Sequence, residues 1–292
     1  MKPAVFAYHD PADLDSALKL LAANPDETKV LAGGQSLVPL MNFRLARPEI
    51  VVDINRLIEL AYINPAGQGL AIGALTRHSQ LARSQVVAER CPVLVEAVLH
   101  VGHVQIRNRG TVGGSVMHAD PAAELPCAFA ALEARFHLAS IRGRRVLTCD
   151  EMFEDVFTTA ALPDEVLVEI EVPPLPPRTG HAFVEFARRT GDFALGGACA
   201  LLTVDGSGRC LGARLSLLAA GRKPIRAVAA ENLLVGGLLA EPELAAAAAH
   251  ATVGLSPAGD IHGSTGYRVD LLETMAHRAL RRAAERASEE TQ

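Results

Sequence analysis

The first 55 residues alternate predicted strands and helices around a pair of glycines. Apolar positions at a 3.6-residue period predict a helix that Asp10-Pro11 opens as N-cap and first helical residue. A short apolar strand at Lys29 to Ala32 then leads directly into Gly33-Gly34. Ser36 is expected to cap the next short helix, and Glu49 to Ile54 forms a second strand. The pattern indicates a β–α–β unit with a glycine-rich loop at the end of its first strand.

The middle of the chain predicts a mixture of strands and short helices. Val101 to Gly110 is polar and basic, with no helix or strand predicted, and Asp120-Pro121 is expected to open an apolar helix that ends near Leu132. The other predicted elements are a strand at Gly69 to Leu75, a helix at Ser79 to Ser84 capped by Thr76, a helix at Pro92 to His100, a hairpin of Phe136 to Ser140 and Arg145 to Thr148, and a strand at Asp164 to Val172.

A proline-rich segment marks the clearest boundary in the chain. Four of the five residues 173–177 are proline, which favours stiff polyproline II and continues neither helix nor sheet. Three strands follow and then three helices, which predicts an α+β unit. The strands are His181 to Arg188, Ala194 to Val204 and Cys210 to Ala219, and the helices are Pro224 to Leu234, Glu241 to Val253 and Tyr267 to Arg286.

Composition and charge exclude several function classes. The formal net charge of −5 gives no general attraction to nucleic acid, and the densest basic cluster, Arg142 to Arg145, lies in a predicted hairpin turn. No apolar stretch reaches 18 residues, so no membrane span is predicted, and the N-terminus lacks a signal-peptide pattern, which predicts a cytoplasmic protein. Five cysteines without C-x-x-C spacing argue against a disulfide scaffold or a metal site on this chain.

A second glycine pair provides the candidate chemistry. The segment Thr111 to Glu124 reads Thr-Val-Gly-Gly-Ser-Val-Met-His-Ala-Asp-Pro-Ala-Ala-Glu, with Arg107 and Arg109 just before it. Glycine lets backbone N–H groups approach a ligand closely, which suits a phosphate or diphosphate, whereas one such pair alone is more often a tight turn. Neither G-x-G-x-x-G nor a P-loop occurs, so a bound nucleotide must be held in another way.

Three segments carry a resemblance to a known family. They are Ala32-Gly33-Gly34-Gln35-Ser36-Leu37 with the later Val51-Val52-Asp53-Ile54, Thr111-Val112-Gly113-Gly114-Ser115 followed by His118-Ala119-Asp120-Pro121-Ala122, and Phe186 to Ala194. Together they resemble the motifs of the FAD-binding medium subunits of molybdenum hydroxylases, the group of aerobic carbon-monoxide dehydrogenase and xanthine dehydrogenase. The resemblance extends over nearly the whole chain.

The resemblance implies both a fold and a cofactor site. The implied fold is α+β, with a two-part FAD-binding domain of the p-cresol methylhydroxylase or vanillyl-alcohol-oxidase type (1–57 and 58–175) and a C-terminal domain (178–288) with a three-stranded sheet plus helices. Backbone N–H groups of both loops and the hydroxyls of Ser36 and Thr111 are implied to hold the FAD diphosphate. The implied cofactor-binding residues are Val30, Leu31, Ala32, Gly33, Gly34, Gln35, Ser36, Leu37, Val101, Thr111, Val112, Gly113, Gly114, Ser115, His118, Glu124, Leu167 and Phe193.

Several of these residues have alternative interpretations. By resemblance Glu124 reaches the adenosine ribose, Leu167 packs near the adenine and Phe193 lies near the isoalloxazine ring. On the residues alone, Glu124 is an exposed acid in a first helical turn, Phe193 a core side chain and His118 a structural residue. Three departures from the family pattern bear on flavin tuning: Ser115 replaces a usual Asn, Glu185 a frequent Lys and Val101 an occasional aromatic residue.

The resemblance further implies an electron-transfer subunit rather than a self-contained catalyst. Hydroxylation is expected at a molybdopterin centre on a large partner subunit, with electrons passing through [2Fe–2S] clusters of a small partner subunit to FAD here and then to an external acceptor. A dimer of such heterotrimers is the expected assembly, and no catalytic acid or base and no metal ligand is predicted on this chain. The alternatives are a stand-alone flavin oxidase or dehydrogenase of the same fold and an interaction module that lacks flavin.

Overall fold

A small parallel sheet opens the computed structural model, which describes residues 1–289. Its strands are β1 (Ala7–His9), β2 (Thr28–Leu31) and β3 (Ile50–Asp53), in the order β1-β3-β2, and its helices are α1 (Leu14–Ala23) and α2 (Leu37–Asn42). Both pairings are parallel, and Leu31 lies opposite Asp53. Because the carboxyl ends of parallel strands meet at one edge, the loop after β2 and the residues after β3 lie side by side.

The start of α1 differs from the prediction. The helix begins at Leu14, where the Asp13 carboxylate caps it by accepting the Ser16 N–H at 2.7 Å. Asp10 instead forms a 2.9 Å ion pair with Arg56, so the predicted opening at Asp10-Pro11 was wrong. Either aspartate satisfies the local cap pattern, and the partner that decides between them is distant in sequence.

The second region is a five-stranded antiparallel sheet with helices on one face. Its strand order is β4-β5-β10-β6-β7, and β10 carries a bulge between Leu167 and Glu169. The elements are β4 (Ile63–Ala66), β5 (Gly69–Gly73), α3 (His78–Arg83), α4 (Gln85–Arg90), α5 (Pro92–His100), α6 (Val104–Arg109), α7 (Val112–His118), α8 (Glu124–Ala131), β6 (Arg135–Ser140), β7 (Gly143–Thr148), α9 (Cys149–Met152), β8 (Phe153–Asp155), β9 (Thr158–Thr159) and β10 (Val166–Val172), with a short 3₁₀ turn at Ile58–Leu60.

Three predictions for this region were wrong. The basic stretch after α5 contains the helix α6, which the sequence does not signal because it buries no residue. Arg77 rather than Thr76 occupies the N-cap of α3, since the Thr76 hydroxyl donates to the Tyr62 carbonyl at 2.8 Å. Asp120-Pro121 forms a turn, held by a 2.9 Å bond from the Ala122 N–H to the Asp120 carboxylate, and α8 begins only at Glu124.

The C-terminal region is an antiparallel sheet of four strands followed by three helices. The elements are β11 (Thr179–Phe186), β12 (Gly196–Val204), β13 (Cys210–Leu218), β14 (Ile225–Arg226), α10 (Val228–Leu234), α11 (Glu241–Ala251) and α12 (Thr265–Glu289). The fourth strand lies inside the predicted helix Pro224 to Leu234, because Ser216 and Leu217 pair with Arg226 and Ile225 across the sheet. Within residues 1–289, no helix is both long and apolar enough to cross a membrane.

The C-terminal sheet lies between its own long helix and the preceding region. One face packs on α12 through residues such as Ala198, Leu272 and Ala279. The other face packs on α5 and α8, where Phe183 and Cys199 join the same core as Leu94 and Phe129. The N-terminal sheet joins the second region through a separate apolar cluster. The predicted boundaries at 57/58 and near 175/178 stay predictions.

A carboxylate fastens the C-terminal region to α5. Glu96 on α5 accepts the Phe183 N–H at 2.9 Å and an Arg286 Nη1–H at 2.6 Å, and it lies 3.5 Å from His181 Nε2. Burial alone would raise the pKa of Glu96, but these three contacts outweigh it and lower the pKa to about 2. The ionised carboxylate therefore ties α5, β11 and α12 together.

We expect Glu96→Gln to lower the stability of the chain at pH 7 by about 2 kcal/mol, since it weakens charge-assisted hydrogen bonds. The stabilisation by the ionised Glu96 carboxylate is complete above its ordinary pKa of about 4.5 and is lost as pH falls through about 2. The difference in stability between the variant and the wild type should therefore become smaller in acid. Thermal unfolding at pH 7 and pH 3 measures it. Glu285→Gln, which removes an exposed 3.7 Å pair with Arg281 on α12, is the control and should change little.

Candidate functional site

The loop after β2 presents a row of free backbone donors. The N–H groups of Gly33, Gly34, Gln35 and Ser36 meet no hydrogen-bond acceptor within the described residues. Gly34 has φ of +72°, which turns the chain so that its carbonyl accepts the Val38 N–H at 3.1 Å. Ser36 occupies the N-cap of α2 without a cap bond from its side chain, so its hydroxyl is also free. Such a run of N–H groups without acceptors suits an anion.

The second glycine pair lies in the first turn of α7 rather than in a loop. Thr111 is the N-cap, and its hydroxyl accepts the Gly114 N–H at 3.1 Å. The N–H groups of Val112 and Gly113 donate to the carbonyls of Thr76 and Ala74 at 2.9 and 2.8 Å, and Ser115 N–H donates to the Thr111 carbonyl at 3.0 Å. Backbone donors of this segment are therefore already bonded, unlike those of the first loop.

The groups of the second segment that remain accessible are few. Gly114 and Ser115 are partly exposed, whereas Thr111 is only 1% exposed. A side chain on Gly113 would place its Cβ 2.6 Å from the Ala74 Cβ, so glycine is required for α7 to lie against the end of β5. The free backbone donors are therefore in the first loop. On α7, the groups accessible to a ligand are the Ser115 hydroxyl and the surface of Gly114.

The two glycine segments meet directly. A Cβ on Gly33 would lie 2.6 Å from the Arg109 carbonyl oxygen and 2.8 Å from the Gly110 Cα, immediately before Thr111. Only a glycine allows this approach of two backbones. The first loop and the N-terminus of α7 consequently lie side by side at one surface.

Three residues that the sequence analysis missed hold this surface together. Asn55, just after β3, donates to the Ala32 carbonyl at 2.7 Å and accepts from Arg77 Nη2 at 2.6 Å, and Arg77 Nη1 donates to the Arg109 carbonyl at 2.6 Å. His78 Nε2 bonds the Thr111 carbonyl at 2.9 Å. Burial lowers the pKa of His78 to about 4, so at neutral pH the ring is uncharged and Nε2–H is the donor.

The basic residues before Thr111 have different surroundings. Arg107 donates to the carbonyls of Val101 and Gly102 at 3.0 and 2.9 Å and so caps the C-terminus of α5. Its guanidinium is therefore bound to these carbonyls, although its charge was expected at the second glycine segment. The Arg109 side chain is exposed, and its charge together with burial lowers the pKa of the Arg77 guanidinium, burial being the larger cause. The Arg77 guanidinium therefore lies against the backbone just before the second glycine segment, with the Arg109 charge close to it.

The third motif segment contacts the start of α6. The loop between β11 and β12 approaches α6 so closely that a Cβ on Gly191 would lie 2.3 Å from the His103 ring. Phe193 in this loop is 74% exposed, which rules out its interpretation as a core side chain. This loop contacts the start of α6, and the role of the exposed Phe193 ring toward the flavin stays a prediction.

Two carboxyl groups, Glu124 at the start of α8 and Glu185 on β11, are buried. Glu124 is 9% exposed, which rules out the exposed first-turn acid, and burial raises its pKa to about 7. The Glu185 side chain is 4% exposed, and one of its oxygens is buried without a partner among the described residues. Burial, then the nearby Glu124, raise the pKa of Glu185 to about 8, while His100 Nδ1 lies 3.8 Å away. Within the described residues, neither carboxyl accepts a hydrogen bond from a side chain.

The remaining predicted residues take up positions around the core. Val101 is half-buried at the end of α5, and Leu167 is buried at the bulge of β10. The ring of His118 packs on Phe157 at 4.9 Å, which is a structural contact. The segments Val30-Leu31 and Leu37 flank the first loop on β2 and α2. The contacts of these residues with the cofactor stay predictions.

Comparison with known proteins agrees with this arrangement. Residues 4–175 match the family model described as the FAD binding domain in molybdopterin dehydrogenase, and residues 181–283 match the CO dehydrogenase flavoprotein C-terminal domain. The chain is 46% identical over 287 residues to 6-hydroxypseudooxynicotine dehydrogenase complex subunit alpha of Paenarthrobacter nicotinovorans, which covers 98% of this chain and 97% of the relative.

Two further similarities cover the same extent. Caffeine dehydrogenase subunit beta of a Pseudomonas species (strain CBB1) is 38% identical, over 98% of this chain and 97% of the relative. A solved structure of carbon monoxide dehydrogenase from Hydrogenophaga pseudoflava superposes with a TM-score of 0.95 at 37% identity, over 98% of this chain and 99% of that chain. The agreement thus includes both the glycine segments and the C-terminal region.

Proposed function

Because this chain belongs to the family of FAD-binding subunits of the molybdopterin dehydrogenases, we propose that it is the FAD-carrying electron-transfer subunit of a molybdenum hydroxylase complex. It is an oxidoreductase subunit, and in this proposal it receives electrons from [2Fe–2S] clusters of a partner subunit and delivers them to an external acceptor. FAD, when bound, supplies the redox chemistry, and the protein supplies binding, orientation and the local electrostatic field.

The observation that carries the proposal is the run of four N–H groups at Gly33 to Ser36 that meet no acceptor within the described residues, in a loop that contacts the backbone just before α7. These donors and the Ser36 and Ser115 hydroxyls would hold the FAD diphosphate, with Arg109 adding positive charge. The ribose hydroxyls would donate to the buried Glu124 carboxylate, which has no other side-chain donor in the described part of the chain. Phe193 would contact the isoalloxazine ring.

The range of related proteins supports an electron-transfer role. The relatives and the solved structure are named for a nicotine derivative, caffeine and carbon monoxide, which differ greatly as substrates, yet each aligns with nearly all of this chain. What the chain contributes is therefore common to these reactions and independent of the substrate. Substrate hydroxylation then belongs to a large molybdopterin subunit, with a small [2Fe–2S] subunit between the two, in a dimer of heterotrimers.

The chemistry of the cysteines fits this division of labour. Cys91, Cys127, Cys199 and Cys210 are buried and free, and burial raises the pKa of the Cys91 and Cys127 thiols to about 12. Such thiols are poor metal ligands because the thiolate is the ligating form. Free thiols also suit a reducing compartment, and a cytoplasmic location is part of the proposal.

Purification of the native complex tests the proposal. We expect this chain to be recovered with a molybdenum subunit and an iron–sulfur subunit, one FAD per copy, and flavin absorption bands at about 375 and about 450 nm. Removing FAD should leave the clusters reducible but slow their reoxidation by the acceptor, as followed by the cluster EPR signal. Recovery of the chain alone, oxidising a small substrate at full rate, would instead support a stand-alone flavin oxidase. A chain without flavin bands would support the flavin-less interaction module.

A further inference from the structure

Arg77 lies between the residues that border the two glycine segments. Its guanidinium donates to the Arg109 carbonyl on one side and to Asn55 on the other, and Asn55 in turn donates to the Ala32 carbonyl at 2.7 Å. The Arg77 main chain is fixed as well, because its N–H donates to the Gln80 side chain at 2.8 Å. One side chain thereby connects the ends of both segments.

The charge of Arg77 is not neutralised by an ion pair. Within the described residues no carboxylate lies within 4.0 Å of its guanidinium nitrogens. The charge of Asp53 acts to raise the pKa of Arg77, but the two side chains are not hydrogen-bonded. Asp53 instead accepts hydrogen bonds from Asn55 at 2.5 and 2.9 Å and from the Tyr8 hydroxyl at 2.7 Å. The guanidinium is held by neutral oxygens, so positive potential remains next to the free N–H groups.

We propose that Arg77 is a positioning residue for the FAD diphosphate, which fixes the spacing of the two glycine segments and places a permanent positive charge behind them. The inference rests on the proposed location of the diphosphate. It gives Arg77 two effects that can be separated: the geometry depends on the planar, two-sided donor set of arginine, whereas the charge is shared with lysine. Neither effect involves the isoalloxazine ring.

Binding of three ligands to the full-length chain, stripped of flavin, tests the inference. FAD and ADP carry the diphosphate, and riboflavin does not, so riboflavin reports on the ring site alone. We expect Arg77→Gln to weaken FAD and ADP by the same factor, about 10- to 100-fold, and to leave riboflavin within about twofold. Arg77→Lys should show an intermediate loss, because it keeps the charge and loses the connection. Calorimetry for ADP and fluorescence quenching for the flavins provide the constants.

A matched control lies elsewhere in the same region. Arg90 also donates to two backbone carbonyls, those of Gly67 at 2.6 Å and Gly69 at 3.2 Å, away from the glycine segments. Arg90→Gln should therefore leave all three affinities unchanged. Equal weakening of riboflavin by Arg77→Gln, or an equal loss with Arg90→Gln, would overturn the inference, as would unaltered binding of FAD and ADP.

A second variant keeps the test decisive if Arg77→Gln does not fold. Asn55→Ala cuts the same connection at its other end and must reproduce the selective loss of FAD and ADP, or the inference fails. The proposed location of the diphosphate is tested separately by Gly33→Ala. If that variant abolishes FAD binding while the Arg77 and Asn55 variants bind normally, only the role of Arg77 is refuted. If none of them affects FAD, the location itself is wrong.

Discussion

Gly33→Ala is expected to reduce FAD affinity by at least about 100-fold, which corresponds to losing two charge-assisted hydrogen bonds. The added Cβ would lie 2.6 Å from the Arg109 carbonyl oxygen and 2.8 Å from the Gly110 Cα. Both are backbone atoms and cannot rotate away, so the first loop must move off the start of α7. The N–H groups of the first loop and the Ser115 hydroxyl then no longer face the same diphosphate.

The measurement is the flavin content of the purified chain, followed by titration of the flavin-free protein with FAD. Far-ultraviolet circular dichroism should be unchanged, because the displacement concerns a surface loop. Gly266→Ala at the start of α12 is the control, since a Cβ there meets no atom within 4 Å. A Gly33→Ala chain that binds FAD as tightly as the control would show that the two segments need not touch for binding.

The second large effect concerns stability and pH. We expect Glu185→Gln to stabilise the flavin-free chain by about 3 kcal/mol above pH 8 and to have little effect near pH 4. Glu185 is buried beside Glu124, and its pKa is raised from about 4.5 to about 8. Between these values the folded chain holds a proton that the unfolded chain has lost, so stability falls as pH rises through this window and levels off above it. Glutamine has no charge and avoids this loss.

Thermal unfolding of the flavin-free chain between pH 4 and pH 9 tests this expectation. At the basic end the Tm of the variant should exceed that of the wild type by roughly 5–10 °C. Glu273→Gln, at an exposed position of α12, serves as the control and should run parallel to the wild type at every pH. If the wild-type stability did not fall between pH 5 and pH 8, Glu185 would have to be ionised or paired in the folded chain.

Local sequence signals identified the elements that depend on local interactions. The bounds of α5 follow from its apolar run and from Pro92 at its first position, and they are confirmed. The strands β12 and β13 agree with the strands predicted at Ala194 to Val204 and Cys210 to Ala219. Elements without a local signal were missed. The helix α6 is an example, because none of its six residues is buried and its sequence therefore has no apolar period.

In the candidate site, too, features with a local sequence signal were predicted and features that depend on distant residues were not. Its glycine segments are visible in the sequence, because only glycine allows the close approach, and the family resemblance that they carry is confirmed by the match over residues 4–175. The residues that connect them are not visible, since Asn55, Arg77 and Arg109 are separated by 22 and 32 positions and meet only in the folded chain. The bonds of the Val112 and Gly113 N–H groups likewise depend on Thr76 and Ala74, which follow β5, and could not be predicted.

The most direct test of the central claim is an experimental structure of the FAD-loaded complex. We predict that diphosphate oxygens lie within hydrogen-bonding distance, about 2.7–3.2 Å, of N–H groups in the segment Gly33 to Ser36, with Gly114 and Ser115 on the opposite side. A diphosphate bound elsewhere, with these N–H groups facing solvent, would contradict the account.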